Sequence, residues 1–316
     1  MPSSLKEIRA SNASLKQTHS SPTTALFVGA TSGIGLATLQ AFAKHLSSPH
    51  AIVVGRDQQT FQPHLDNLKT LNPNGTYTFL ESDISLLANV DKVSKVIKST
   101  LSQQQGNSKL DFLFLSQGYI SFTGREENAD GLDNSVSLRY YSRIRFIQNL
   151  LPIMSSSART ISILAGGKEG KIFEDDLDLK KNYSVGNAAG QFATMMTLSF
   201  DNFSSQSENS GKGFVHVFPG LTSTGLLGRS AKGVLGIGMR WVVEPLLGAL
   251  VMGKAEDVGE RMLFYAMSEE FGKGSWSLDW DGKKAENEIL RAYRERKFAE
   301  KVVEHNEKVF EGIGRR

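Results

Sequence analysis

The sequence predicts an α/β protein, a doubly wound parallel sheet in a single domain. Three observations carry this: short, near-continuous apolar runs, amphipathic stretches between them, and a glycine turn joining the first run to the first such stretch. "ALFVGA" (Ala25 to Ala30) reads as the first strand. "GLATLQAFAKHL" repeats apolar residues at helical spacing through Leu36, Leu39, Phe42, Ala43 and Leu46. "HAIVVGR", "YTFLESD" and "LDFLFLSQG" supply the next three strands, with helical stretches such as "NVDKVSKVIKSTL" between them.

The alternation continues through a long helix in "GLDNSVSLRYYSRIRFIQNLLPIM", a strand in "RTISILAGG", a helix in "NAAGQFATMMTLSF" and a strand in "GFVHVFPG". "KAEDVGERMLFYAMSEE" reads as a further helix and "GSWSLDWDG" as a late strand with its turn. One terminal amphipathic helix is expected over about 285–310, because charges interleave with apolar positions there. Residues 1–22 read as a polar arm with helical character around Leu5 to Leu15, ahead of one domain over 23–316.

Composition narrows the function classes. Lys and Arg total 36 against 33 for Asp and Glu, and a net +3 over 316 residues gives no reason to expect nucleic acid as a partner. Cysteine is absent and the six histidines are scattered, so neither a disulfide framework nor a zinc or other metal site is encoded. The first twenty residues hold no apolar run of signal-peptide length. Gly233 to Gly253 is the most apolar later segment, but Arg240, Glu244 and Pro245 interrupt it, so no membrane span is expected and a cytoplasmic location fits.

"GATSGIG" (Gly29 to Gly35) stands between a predicted strand and helix, the context in which a glycine motif acquires meaning. Glycines let the backbone turn sharply and approach a diphosphate, whose charge the unbonded N–H groups of the helix start attract. A tight turn without a ligand is the plainer reading of the glycines alone. The second strand ends in "VVGRD", where Arg56 offers a planar donor fork suited to phosphate and Gly55 leaves space; Asp57 either contacts a ribose or caps the next helix.

The G-x-x-x-G-x-G spacing and the order of the other motifs resemble the short-chain dehydrogenase/reductase family from about Ala25 to Met267, with its Rossmann-like fold. The overall pattern looks most like divergent fungal reductases of secondary metabolism. The resemblance implies NADP as cofactor, with Gly29, Thr31, Ser32, Gly33, Ile34 and Gly35 around its adenosine and diphosphate, and Asp83 and Ile84 beside the adenine. It also implies roles for Gly118 of "LSQG" and for Pro219, Gly220 and Thr224 of "FPGLTST" along the nicotinamide.

Family members use a tyrosine whose lysine, one helical turn later, lowers its pKa, together with a serine and an asparagine. Here the serine position after the fifth strand offers Leu164, Ala165 and Gly166, and the asparagine position falls on Arg139. Tyr183 of "NYSVGNAAGQ" matches the tyrosine, and its lysine is then Asn187. A second alignment, through "DLDLKKNY" as in retinol-dehydrogenase-like members, puts Ala189 and Ala193 in the key places and leaves Tyr183 as a wall residue. Two repairs stand open: Arg139 as a fixed cation that lowers the Tyr183 pKa, or one of Lys168, Lys171, Lys180 and Lys181 folding back; the plainer reading of Arg139 is a surface or phosphate-facing arginine on "RYYSRIR", where Arg143 and Arg145 show that basic residues are common.

Residues 221–253 read as a substrate-loop region, where Leu226, Leu227, Val234, Leu235, Ile237, Met239 and Trp241 make an apolar wall for a greasy small molecule, or pack on the domain core or on another subunit of a homo-oligomer. The expected function is NADP(H)-dependent oxidoreduction of a carbonyl or hydroxyl on an apolar biosynthetic intermediate, with Tyr183, Arg139 and Asn187 as the catalytic set. Two alternatives stand beside it: an isomerase or cyclase using Tyr183, Arg139 or Asp176, and a non-catalytic NADP-binding regulator.

Overall fold

The computed structural model of the protein describes residues 4–19, 21–103, 108–119, 121, 124–220 and 253–314. After helix α1 (Leu5–Thr18) come β1 (Thr23–Val28), α2 (Gly33–His45), β2 (Pro49–Gly55), α3 (Gln58–Leu71), β3 (Thr76–Glu81), α4 (Leu87–Gln103) and β4 (Leu110–Leu115). Helix α5 follows in three parts, Asn134–Val136, a π-helical turn Ser137–Tyr141 and Ser142–Leu150. Then come β5 (Met154–Ile163), α6 (Val185–Ser205), β6 (Gly213–Val217), α7 (Ala255–Met267), β7 (Gly274–Leu278), α8 (Glu288–Glu295) and α9 (Ala299–Gly314).

The strands form one seven-stranded sheet in the order β3-β2-β1-β4-β5-β6-β7, parallel throughout. Alternate residues of each strand serve opposite faces. On one face Leu26, Val28, Leu113 and Leu115 pack with residues of α4, α5 and α6. On the other, Phe27 stacks on Phe114 at 4.7 Å and meets Phe42 of α2 edge-on at 5.3 Å. Strand order reverses between β1 and β4, whose last residues, Val28 and Leu115, are register partners. The crevice outside the carboxyl ends at such a reversal is where doubly wound sheets bind ligands.

Two segments go beyond expectation. The helical character expected around Leu5 to Leu15 is present as α1, which is opened by a Ser4/Glu7 capping box and, beyond the expectation, docked through buried Ile8, Asn12 and Leu15. Asn12 donates to the Glu260 carboxylate of α7 at 2.6 Å, and His45 of α2 lies 3.0 Å from the same group. Two buried apolar residues seven apart are too sparse a stripe to announce that the helix docks. The expected single terminal helix is two, α8 and α9, separated where Lys297 takes a left-handed φ of 52°. Phe298 turns back at that break, its N–H on the Tyr293 carbonyl and its ring 5.0 Å from the Tyr293 ring.

Candidate active site

The glycine turn leaves β1 beside the segment that follows β4. Gly29 has a φ of 82°, and a Cβ there would lie 2.4 Å from the Gln117 nitrogen; one at Gly35 would lie 2.3 Å from Ser116 Oγ. Close backbone approach accounts for both glycines, since a Cβ at Gly35 would also lie 2.8 Å from the Gly29 carbonyl oxygen and 2.9 Å from Ala30 Cα. Gly33 opens α2 with a φ of 58°. Ser32 stands at the N-cap of α2, but its side chain makes no capping bond. By contrast α1, α3, α6 and α8 are capped by Ser4, Asp57, Ser184 and Asn287. The start of α2 thus keeps donors that no capping side chain answers, and a diphosphate fits there.

Around the β2 end one expectation needs correction. Gly55 does not leave open space, since a Cβ there would lie 2.6 Å from Thr31 Cγ2 and 2.7 Å from Phe79 Cζ. Arg56 is exposed beside it. Asp57 is the helix cap, both its oxygens accepting from Thr60, at 2.9 and 2.7 Å. Asp83 is exposed and accepts from the Ser85 N–H, while Ile84 is buried. Gly220 follows β6 with a φ of 79°, close against Trp280. Thr224 and 221–252, with the expected apolar wall, lie outside the described residues.

The β5 end carries no hydroxyl at the expected serine position. The Ala165 N–H donates to His216 Nε2 at 3.0 Å, and a Cβ at Gly166 would strike the His216 carbonyl oxygen at 2.3 Å. Ser162, three residues earlier, accepts from Arg143 Nη1 at 2.8 Å. Arg143 is fully buried and also donates to the carbonyls of Leu115, Gln117 and Ile163.

Arg139 lies one turn earlier on the π-helical part of α5, where the Ser142 N–H bonds back to the Ser137 carbonyl. Tyr140 and Tyr141 hold this turn from behind: the Tyr140 hydroxyl accepts from Asn306 at 2.9 Å, and that of Tyr141 shares a 2.8 Å hydrogen bond with His305. Such turns recur at functional sites because the extra residue re-aims side chains. Arg139 packs on Gly118, where a Cβ would come within 3.2 Å of its Cγ. It is half-buried, and among the described residues it makes no hydrogen bond or ion pair.

Tyr183 precedes α6, half-buried and packed against the core, and its hydroxyl has no hydrogen-bond partner among the described residues. Arg139 acts on it electrostatically, as expected, but does not win: burial raises the phenol above its ordinary pKa, Asp133 adds to this, and Arg139 only opposes it. The expected lowering is therefore corrected. The alternative lysines are elsewhere: Lys168 pairs with Asp279, Lys171 lies over the Phe173 ring, Lys180 pairs with Asp178, and Lys181 is exposed.

Asp176 is a latch for the loop before Tyr183. Its carboxylate accepts from the N–H groups of Lys180, Lys181 and Asn182 and from the Asn182 side chain, all at 2.8–2.9 Å. Burial works to raise its pKa, but these donors outweigh it and hold the group below the usual carboxylate range. A carboxylate so occupied is not available to polarise a substrate. Asn187 belongs to the same construction: its side chain donates to the Asn182 carbonyl at 2.8 Å and its N–H to Ser184 Oγ. In the second alignment's positions, Ala189 is half-buried and Ala193 fully buried.

Asp176→Ala is expected to loosen the loop, lowering turnover about tenfold and opening the Lys180–Lys181 peptides to trypsin. Wild-type protease resistance in the variant would show that other contacts hold the loop.

Sequence reasoning missed two further residues. Asp133 is buried and caps α5, accepting from the N–H groups of Val136 and Glu126 at 2.9 and 2.8 Å. Tyr119 lies within electrostatic reach of both Tyr183 and Arg56, its phenol pushed up to about 12 by burial and then by Asp133. The "LDNS" cap pattern could have signalled Asp133; nothing local signals Tyr119.

No family model matches the chain. It is 37% identical over 337 residues to oxidoreductase AN1596 of Emericella nidulans, covering 98% of each chain. It is also 30% identical over 297 residues to the short-chain dehydrogenase/reductase SAT2 of Stachybotrys chartarum, covering 86% of this chain and 79% of that one. The chain belongs to the short-chain dehydrogenase/reductase family. Among solved structures, the angucycline C-6 ketoreductase LanV with bound NADP matches it with a TM-score of 0.59 at 18% identity, over 78% of this chain and 89% of that one, a likeness of fold. Within the short-chain dehydrogenase/reductase pattern this member carries the glycine turn Gly29 to Gly35 between its first strand and the helix after it.

Proposed function

We propose that the protein is an NADP(H)-dependent reductase that converts a ketone of a largely apolar biosynthetic intermediate into an alcohol, in secondary metabolism. The observation that carries this is the electrostatic coupling of a phenol, Tyr183, and a guanidinium, Arg139, neither of which has a hydrogen-bond partner among the described residues. The fungal oxidoreductase relatives and LanV, a ketoreductase with NADP bound, support the same reading.

NADPH, when bound, supplies the hydride. The N–H groups at the start of α2 would hold its diphosphate and Arg56 its 2′-phosphate. Tyr183 then gives its proton to the carbonyl oxygen, and the positive field of Arg139 steadies the phenolate left behind. A phenol with a raised pKa is a poor base but an intact acid at neutral pH, so the missing lysine favours reduction over oxidation. Asn187 acts through the loop that seats Tyr183.

Steady-state NADPH oxidation with ketones graded in size tests this. Cofactor binding without turnover of any of them would overturn it, and substrate conversion without NADPH consumption would select an isomerase or cyclase. For the cofactor, Arg56→Asp is expected to weaken NADPH binding roughly tenfold or more while sparing NADH. Equal losses for both would remove the assignment.

A further inference from the structure

Arg139 and Arg143 make a cationic pair that the described residues leave without a carboxylate partner. Both converge on Gly118, where a Cβ would lie 3.2 Å from Arg139 Cγ and 3.9 Å from Arg143 Nη2. Arg143 is committed to carbonyls and to Ser162. Arg125, the other guanidinium that acts on Tyr183, is paired with Glu127 at 2.7 Å. Asp133, the acid that acts on Arg139, already has both oxygens on backbone N–H groups.

Two like charges one turn apart, Arg143 fully buried and Arg139 half-buried, are unfavourable in the absence of an anion. The pKa values bear this out: burial lowers both, and the charge of Arg139 lowers that of Arg143 further. A planar guanidinium with its donors unassigned, beside an unassigned phenol, matches a planar oxyanion attached to a carbonyl compound.

We infer that the substrate is an anionic ketone, an apolar body carrying a carboxylate or the ionised enol of a vinylogous acid, with the oxyanion on Arg139 and the keto oxygen on Tyr183. This rests on the reductive reading above and adds the charge of the substrate to it. The anion relieves the Arg139–Arg143 repulsion, so the ground state gains affinity that a neutral ketone lacks.

The test compares matched probes by calorimetric binding to the NADPH complex at neutral pH: benzoylpropionate against its methyl ester, and lawsone, an ionised enol, against its methyl ether. The expected result is that wild type binds at least one anion roughly tenfold to a hundredfold more tightly than its neutral partner. Preference for benzoylpropionate identifies a carboxylate, and for lawsone an enolate. Arg139→Gln is expected to abolish the preference and Arg139→Lys to keep part of it. Equal affinity for acid and ester and for lawsone and its ether in wild type would overturn the inference without using any variant, as would a preference that survives in Arg139→Gln. Turnover of neutral ketones with no anion preference would sink this inference and leave the reductase reading standing; anion binding without turnover of any ketone would do the reverse.

Discussion

Tyr183→Phe is expected to lower kcat for ketone reduction by roughly a hundredfold to ten-thousandfold, with NADPH affinity and thermal midpoint nearly unchanged. The two halves of this expectation have separate causes. The ring of Tyr183 packs against the core, and phenylalanine keeps that packing. The hydroxyl has no hydrogen-bond partner among the described residues, so removing it orphans none of them. Everything lost is then proton transfer.

The pH profile gives a second reading of the same residue. Burial places the phenol pKa above its ordinary value of 10.0, so Tyr183 stays protonated throughout the neutral range. Reduction, which uses the neutral phenol, should be level from neutral pH up to that value, whereas alcohol oxidation, which needs the phenolate, should climb only beyond it. Linkage has a definite sign too: above pH 10.0 the unfolded chain releases this proton before the folded one does, so Tyr183 subtracts stability as pH rises through that region. Unchanged turnover in Tyr183→Phe would make Tyr183 a wall residue and favour the alignment through Ala189.

The strands and the glycine turn were legible because their signals are local: continuous apolar runs such as "LDFLFL", and glycines whose spacing fits one backbone geometry. The same locality explains the failures. Gly55 looked like room for a phosphate, but its neighbours are Thr31 and Phe79, and no spacing rule brings Phe79 to it. Arg143 looked like one more basic residue on a helix, while the fold buries it against three carbonyls from β4, β5 and the segment after β4. The π-helical turn that aims Arg139 is held by His305 and Asn306, more than 160 positions along the chain. Asp176 lies near Tyr183 in sequence, yet its role needed the left-handed turn at Leu179, φ 47°, that lets one carboxylate collect three consecutive N–H groups.

Arg143→Met is expected to lower stability by about 3–5 kcal/mol, a fall in thermal midpoint of roughly ten degrees for a domain of this size. Arg143 closes the gap where β4 and β5 end: Leu115 and Ser162 are register partners, and the guanidinium bonds to the Leu115 carbonyl, to Ser162 Oγ and to the Ile163 carbonyl one residue on. Methionine fills much of the volume but answers none of these acceptors, nor the Gln117 carbonyl, and each buried acceptor left unmet costs about 1–3 kcal/mol. Opposing this, the cation is itself costly to bury. Its pKa is lowered to about 9 by burial and by the charge of Arg139, and its Nε has no partner. Apolar replacement of buried charges is sometimes neutral for that reason, but here the partners are fixed carbonyls that the substitution does not remove. Arg143→Lys separates the terms, because an ammonium keeps the charge and reaches fewer of the four acceptors; it should fall between wild type and Met. A Met variant as stable as wild type would mean that water satisfies the strand ends, and that Arg143 serves the charge of the site rather than the sheet.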